Sequence, residues 1–256
     1  MIKEKSIAEI KDLLSGLEVS TELMDSLRRD HRKGVQQLFN RYSKQMEVDE
    51  SERARFSRML DFDLNNLHEH HILAGVDEAG RGPLAGPVIA AAVILPYSQK
   101  IPYQINDSKQ MTPSQRESVF SEIMDCLLDY GVGIVEPDII DKINIYQATI
   151  LAMRKAIGSL KHKPDKVLID GLSIPSLDIL NRKVIKGDQK SAAVAAASII
   201  AKVTRDRLMR EYAKVYPEYG FDKHFGYPTK AHREVIINVG VTPIHRRTFS
   251  GVKECI

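Results

Sequence analysis

The sequence predicts an α/β protein: a mixed sheet flanked by helices, preceded by a small all-helical N-terminal extension. Three observations lead there. Residues 1–70 place their apolar side chains at helical spacing. From Ile72 the pattern changes to short apolar runs with strand character, the first two joined by a loop rich in glycine. After a third such run, helical segments alternate with two more strands, the order expected of a mixed central sheet. The expected division is an extension over 1–70 and a catalytic domain over 71–256.

In the extension, Ile7, Ile10, Leu14 and Leu17 share one helical face. Ser20 or Thr21 can cap a second helix carrying Leu23, Met24 and Leu27. Val35, Leu38, Phe39 and Tyr42 form a third stripe, and Phe56, Met59 and Leu60 a fourth. Three or four short helices with such narrow stripes must pack on each other or on the main domain. The basic cluster 28–33 reads as a solvated helix end. His68, His70 and His71 fall in a linker, and no further ligands complete a metal site there.

In the main domain, strands are expected at 72–76, 88–95 and 131–135, with a helix over 113–129 between the last two. A helix over 138–160 follows, carrying Ile139, Ile143, Tyr146 and Ile150 on one side. Short strands at 167–170 and 184–186 enter Gly171 and Gly187. A long helix over 188–216 comes next. Its alanines at 192, 193, 195, 196 and 197 strip the first turns of bulk, so it can lie close against the sheet. A last helix covers 229–239, and the C-terminal stretch is irregular and basic.

Bulk properties narrow the class. The 256 residues are 43% apolar and 28% charged, ordinary for a globular protein. The longest nearly apolar runs, 88–95 and 192–201, fall well short of the roughly 20 residues of a membrane span. The first residues lack the apolar core of a secretory signal. Cys126 and Cys255 are the only cysteines, which points to reduced thiols and a cytoplasmic setting. The net charge of +3 is unevenly spread: 12 basic and 14 acidic residues before residue 71, 15 basic and 7 acidic from Arg182 onward. A basic stretch beside an acidic site suits a polyanion gripped by its backbone and handled by metal.

The stretch 74–87 carries the chemistry. An apolar strand ends in the adjacent acids Asp77 and Glu78, and Gly80, Gly82 and Gly86 then bring the chain round, with Pro83 and Pro87 fixing its shape. A dinucleotide fingerprint is excluded. The spacing is G-x-G-x-x-x-G, Pro83 removes an N–H that a phosphate cradle needs, and two acids at the loop entrance would repel a pyrophosphate. Asp170 and Asp188 lie at similar chain reversals. Hydrolysing a phosphodiester calls for an activated water and charge relief at the leaving oxygen. Two hard cations held by such carboxylates about 4 Å apart can supply both. Competing roles exist: Asp188 could simply cap a helix, and Asp170 could be a turn aspartate. Neighbours in a regular strand face opposite sides, so Asp77 and Glu78 reach one site only if the strand distorts.

The sequence Gly75-Val-Asp-Glu-Ala-Gly-Arg-Gly-Pro-Leu-Ala-Gly-Pro87 resembles the first motif of bacterial ribonuclease HII. Leu168-Ile-Asp-Gly171, Lys186-Gly-Asp-Gln-Lys-Ser191 and His224-Phe-Gly-Tyr-Pro-Thr229 match further motifs in order. The resemblance spans about 72–249 and is weaker over the first seventy residues. It implies the ribonuclease H fold, with Asp77, Glu78, Asp170 and Asp188 as catalytic metal ligands for Mg²⁺ or Mn²⁺. It also implies that Gly80, Arg81 and Gly82 act with Tyr227 to recognise the 2′-OH at the cut. Lys109, Lys190, Lys202 and Arg205 are the phosphate-contact candidates, the last two sharing a helix face.

The implied activity is cleavage 5′ of a ribonucleotide in RNA–DNA hybrids and in DNA with embedded ribonucleotides, by a monomer without membrane attachment. Two alternatives stand beside it. One is a type HIII-like enzyme needing a run of ribonucleotides, disfavoured because that type is expected to carry threonine where Arg81 stands. The other is a nucleic-acid-binding protein with a dead site.

Overall fold

The computed structural model of the protein describes residues 2–14, 19–67, 72–97, 101–106, 108 and 110–256. Leu17, His68, His70, His71 and Lys109, singled out above, lie outside the described residues. The chain divides into two compact units, Met1–Arg55 and Phe56–Ile256. No helix among the described residues is long and apolar enough to cross a membrane.

The first unit holds α1 (Ile7–Leu14), α2 (Thr21–Arg28) and most of α3 (Lys33–Leu64). Ser20 caps α2, its hydroxyl accepting from the Leu23 N–H. Ile10, Leu27 and Val35 are wholly buried against one another, with Leu14, Leu23, Met24, Leu38 and Phe39 around them. Within the basic cluster, Arg32 is held in place: its guanidinium pairs with Asp30 at 2.7 Å and donates to the carbonyls of Lys5 and Ile2. The third and fourth expected helices are one continuous α3. Residues 35–64 contain neither Gly nor Pro, so nothing breaks the helix although its apolar stripe lapses midway.

The second unit is built on a five-stranded sheet of order β3-β2-β1-β4-β5, with β1 (Leu73–Ala79), β2 (Val88–Ile94), β3 (Asp129–Val135), β4 (Lys166–Asp170) and β5 (Leu180–Val184). β1–β2–β3 is an antiparallel meander, while β4 joins β1 in parallel and β5 joins β4 in parallel. The sheet is therefore mixed, and β1 is its middle strand. Helix α5 (Pro137–Gly158) covers one face and α6 (Ala192–Val215) the other. The alanine-rich start of α6 does lie flat on the sheet. A Cβ at Gly75 would run into the backbone of Ala193 and Val194, so only glycine allows that approach.

The helix expected over 113–129 ends at Cys126 and the strand expected over 131–135 starts at Asp129. Three further differences bear on the site. β1 continues through Asp77 and Glu78 to Ala79. β5 ends at Val184, because Lys186 already turns in the left-handed region at φ 55°. The long helix begins only at Ala192, after a separate 3-10 turn over Gly187–Gln189. Its cap is Ser191, whose hydroxyl accepts from the Val194 N–H at 3.2 Å. Capping therefore does not account for Asp188. Elsewhere Thr112 caps α4 (Pro113–Cys126) with a reciprocal bond to Gln115, and Thr229 caps α8 (Lys230–Val239). The four-residue α7 (Phe221–His224) was not foreseen.

The end of α3 belongs to this second unit. Phe56 and Met59 join the core on the α6 face of the sheet. Asp63 is fully buried, and its Oδ2 accepts from the Tyr97 hydroxyl at 3.0 Å and the Ala193 N–H at 2.9 Å. Burial outweighs these bonds and pushes its carboxyl from 3.8 up to about 6. The folded state thus holds its proton more tightly than the unfolded chain. Below pH 4 both states are protonated; as pH rises from about 4 to 6 the unfolded chain releases first, and this contribution to stability falls by a few kcal/mol. Asp63→Asn should flatten that part of the pH dependence, read from urea midpoints across the window. An unaltered slope would take the titration away from Asp63.

Candidate active site

Two arginines that solvent does not reach build the loop between β1 and β2. Arg205, on α6, donates to the carbonyls of Ala85, Pro87 and Phe225, each at 3.0 Å. Arg246 donates to the carbonyls of Gly80 at 2.6 Å and of Arg81 and Gly86 at 2.9 Å. The Arg246 N–H also reaches the Leu84 carbonyl at 2.8 Å. Burial lowers the pKa of Arg205 to about 10 and that of Arg246 to about 9, so both stay charged at neutral pH. No peptide here is cis. A planar trans peptide opposes its C=O and N–H, so the N–H groups of Arg81 and Gly82 point away from Arg246.

Asp77 sits on the middle strand facing α6 and is almost wholly buried. Its Oδ1 accepts from the Glu78 N–H at 2.7 Å. The Ser198 hydroxyl also bonds it, and that hydroxyl lies 2.8 Å from the hydroxyl of Ser108. Burial raises the Asp77 pKa well above the usual carboxylate range, and the nearby charges of Glu78 and Asp170 raise it further. The strand stays in register through both acids, Asp77 opposite Ala91 and Glu78 opposite Ala90. No bulge interrupts the pairing, yet Glu78 still lines the cleft with Ser108 and Lys202 and its charge reaches Asp77. The two acids thus serve one site without the expected break in the strand. Glu78 Oε1 is 3.3 Å from Arg81.

Asp170 ends β4 beside β1, and its Oδ1 accepts from the Gly187 N–H at 2.6 Å. That bond ties it to the turn carrying the buried Asp188. The structure thus brings the charges of Glu78 and Asp170 within reach of Asp77 and sets Asp188 one residue from a partner of Asp170.

The cleft holds about 310 Å³ and is lined by Glu78, Gly80, Arg81, Gly82, Ser108, Lys202 and Tyr227, with Ala79. The Tyr227 ring is 40% exposed there. Lys202 reaches it from α6, paired with Asp206 at 2.7 Å and 5.0 Å above the Phe225 ring. Lys190 is exposed at the end of the Asp188 turn, outside the cleft lining. Arg205 is a correction. Expected to contact phosphate from the same face as Lys202, it is 0% exposed, and its three bonds to carbonyls spend its guanidinium on the loop.

Arg246, Ser108 and Ser198 escaped the sequence reading. Ser198 carried a signal, being the only polar residue in the run 192–201. Arg246 carried none beyond belonging to a basic tail.

The donor set suits hard divalent cations: carboxylate oxygens, crowded, buried, and with Arg81 as the cation at hand. Among the described residues no three His, Cys, Asp or Glu side chains stand together as a ready-made cage.

Comparison with known proteins agrees with this geometry. The family model for ribonuclease HII matches residues 74–252, and that for the ribonuclease HII N-terminal domain matches 6–65. The chain is 46% identical over 257 residues to ribonuclease HII of Ligilactobacillus salivarius, covering 100% of this chain and 99% of that protein. It is 45% identical over 251 residues to ribonuclease HII of Clostridioides difficile, covering 97% and 98%. Among solved structures it is similar to the ribonuclease H2 from Pyrococcus horikoshii, with TM-score 0.62, 33% identity, and 72% of this chain and 96% of that one covered. It shares its fold with Bst-RNase HIII, solved in complex with Mn²⁺, at TM-score 0.56 and 18% identity, over 72% of this chain and 69% of that one.

Two glycines of the loop should respond differently to alanine. Gly80 has φ +92°, and a Cβ there would collide with the Arg205 side chain. A Cβ on Gly82 meets only Tyr227 Cε1, at 3.8 Å. Gly80→Ala is expected to lower the melting temperature. Gly82→Ala should leave it near wild type and still impair cleavage, because the methyl intrudes on the cleft. Full turnover in folded Gly82→Ala would remove this loop from substrate contact.

Proposed function

This chain belongs to the ribonuclease HII family, and on that premise we propose how its site performs type 2 ribonuclease H chemistry. The enzyme is a hydrolase acting on nucleic acid, and the family is metal-dependent. It cuts the phosphodiester 5′ of a ribonucleotide, in RNA–DNA hybrids and in DNA with embedded ribonucleotides, leaving 3′-OH and 5′-phosphate ends. The observation that carries the reading is the cleft itself, where an acidic group on the middle strand meets the Gly80–Gly82 backbone, Lys202 and Tyr227.

We assign Asp77, Glu78, Asp170 and Asp188 as the residues that hold Mg²⁺ or Mn²⁺, two ions in the catalytic complex. When bound, such ions supply an activated water and charge relief at the leaving oxygen. The chain's own residues do the rest. The N–H groups of Arg81 and Gly82, turned away from Arg246, are donors for the sugar-phosphate at the cut. Tyr227 offers a flat face to the sugar. A pocket that hydrogen-bonds the 2′-OH rejects a deoxyribose strongly, since the missing hydroxyl leaves its polar groups unpaired. Lys202 is the phosphate contact best supported by position, and the exposed Lys190 is a second. The cleft residues all lie after residue 70, as an extension over 1–70 and a catalytic domain over 71–256 require. The compact units, however, divide at Arg55, with Phe56, Met59 and Asp63 packed into the second. We read the enzyme as a cytoplasmic monomer, its two cysteines being free.

Asp77→Asn, Glu78→Gln, Asp170→Asn and Asp188→Asn should each lower turnover by roughly 10²-fold or more, the scale of losing one strong electrostatic stabiliser. Asp77→Asn should also raise the melting temperature of the metal-free protein, because it removes a buried, repelled charge. A folded Asp77→Asn protein with wild-type turnover would defeat the assignment.

Substrate choice is tested on four duplexes: DNA with one ribonucleotide, DNA with four, a full hybrid, and all-DNA. Cleavage of the first three and not the last is expected. Failure on the single ribonucleotide would favour a type HIII-like enzyme, and no cleavage at all with Mg²⁺ or Mn²⁺ would favour an inactive binding protein.

A further inference from the structure

We infer that His232 and His245 are positioning residues for Tyr227, forming a chain of neutral imidazoles that fixes the backbone of the recognition tyrosine from the C-terminal segment. This rests on the reading of Tyr227 as the residue that faces the sugar.

The protons in the chain can be placed from its two ends. The Thr242 N–H lies 2.9 Å from His245 Nδ1 and can only donate, so that nitrogen is bare and the His245 proton is on Nε2. The Thr242 hydroxyl adds a second donor to the same nitrogen at 2.8 Å. His245 Nε2 stands 3.1 Å from His232 Nε2, which must then accept, leaving the His232 proton on Nδ1. His232 Nδ1 is 3.0 Å from the Tyr227 carbonyl, which can only accept. The far end therefore demands the same tautomer that the near end imposes. Each main-chain group leaves one arrangement, and the two arrangements agree.

Both rings are buried, His232 at 0% exposure and His245 at 1%. His224 stacks on His232 with centroids 4.4 Å apart, and Phe221 meets it edge-on at 5.5 Å. The charged or titratable groups facing His232 are His224, His245 and Arg233, and those facing His245 are His232, His224 and Tyr219, whose ring centroid lies 5.2 Å away. Burial, with these neighbours, holds both imidazoles at about 4, so the chain is neutral in any working range. The Tyr227 N–H is held as well, donating to the His224 carbonyl at 2.9 Å. The Tyr227 carbonyl also accepts from the Thr229 N–H at 2.8 Å, with His232 its side-chain donor. With N–H and C=O both held, the direction of the Cα–Cβ bond from which the ring enters the cleft is set.

Rings that merely filled space would stabilise the fold without affecting which sugar is cut. Two measurements separate the cases. Imidazole ¹⁵N spectra of the full chain at neutral pH should show His232 protonated on Nδ1 and His245 on Nε2; a His232 proton on Nε2 overturns the chain. The second is the ratio of turnover on DNA with one ribonucleotide to that on a full hybrid, in wild type, Tyr227→Ala, His232→Phe and His232→Asn. Tyr227→Ala should lower the ratio, and His232→Phe should lower it several-fold in the same direction. His232→Asn, whose amide nitrogen stands near the lost Nδ1, should recover much of it. A wild-type ratio in His232→Phe, with the ratio of Tyr227→Ala lowered, overturns the positioning role alone. An unchanged ratio in Tyr227→Ala removes the recognition reading and this role with it, while the spectra still report the tautomers. Should His232→Phe not fold, the spectra and His232→Asn decide.

Discussion

Six carbonyl oxygens of one short loop are turned inward and met by Arg205, Arg246 and one backbone N–H. The rest of the site depends on that. A glycine-rich turn has few side chains with which to hold its own shape, and inward carbonyls away from water need donors. A guanidinium presents several donors in a rigid fork, where an ammonium would offer one compact charge. With the Gly80 and Arg81 carbonyls committed inward, the amides of Arg81 and Gly82 are left for the outer side, while those of Leu84 and Gly86 donate to the carbonyls of Gly226 and Ile244. Since Arg205 comes from α6 and Arg246 from the C-terminal segment, loop, helix and tail share one set of bonds.

The acids show a second tension. Asp77 occupies the middle strand, paired with Ala91 of β2 one residue beyond the last pair with β4, and α6 covers it. That placement is rigid, and it also raises the cost of the charge. The Glu78 N–H and the Ser198 hydroxyl offset part of the cost, and the neighbouring carboxylates add to it. Such a group is unfavourable for stability alone and useful where a cation is to be gripped.

Much of this was legible because it is local. Apolar runs and glycines at reversals mark elements over a few residues, as does Ser20 at the start of α2, and the four acids stood out by falling at reversals. What was missed depends on neighbours distant in sequence. Helical spacing puts Arg205 and Lys202 on one face but does not say that the glycine loop covers Arg205. Asp77 and Glu78 read as the end of a strand, whereas pairing with β2 carries it on to Ala79. Residues 43–55 lack the apolar stripe that would have announced one long α3, so two helices were expected. Ser191 and Asp188 are three residues apart and both are cap formers; only the intervening 3-10 turn separates their roles.

The strand order has a consequence for how the protein assembles. β1 and β2 are joined by the short glycine loop, and β3 pairs with β2 after a connection that carries α4. β4 pairs with β1 only after the chain has crossed the sheet through α5, a distant and entropically costly contact. Asp170 reaches Asp77 only where β4 has joined β1, so the repulsion between these two carboxylates weighs against that one long-range pairing and not against the β1–β2 hairpin.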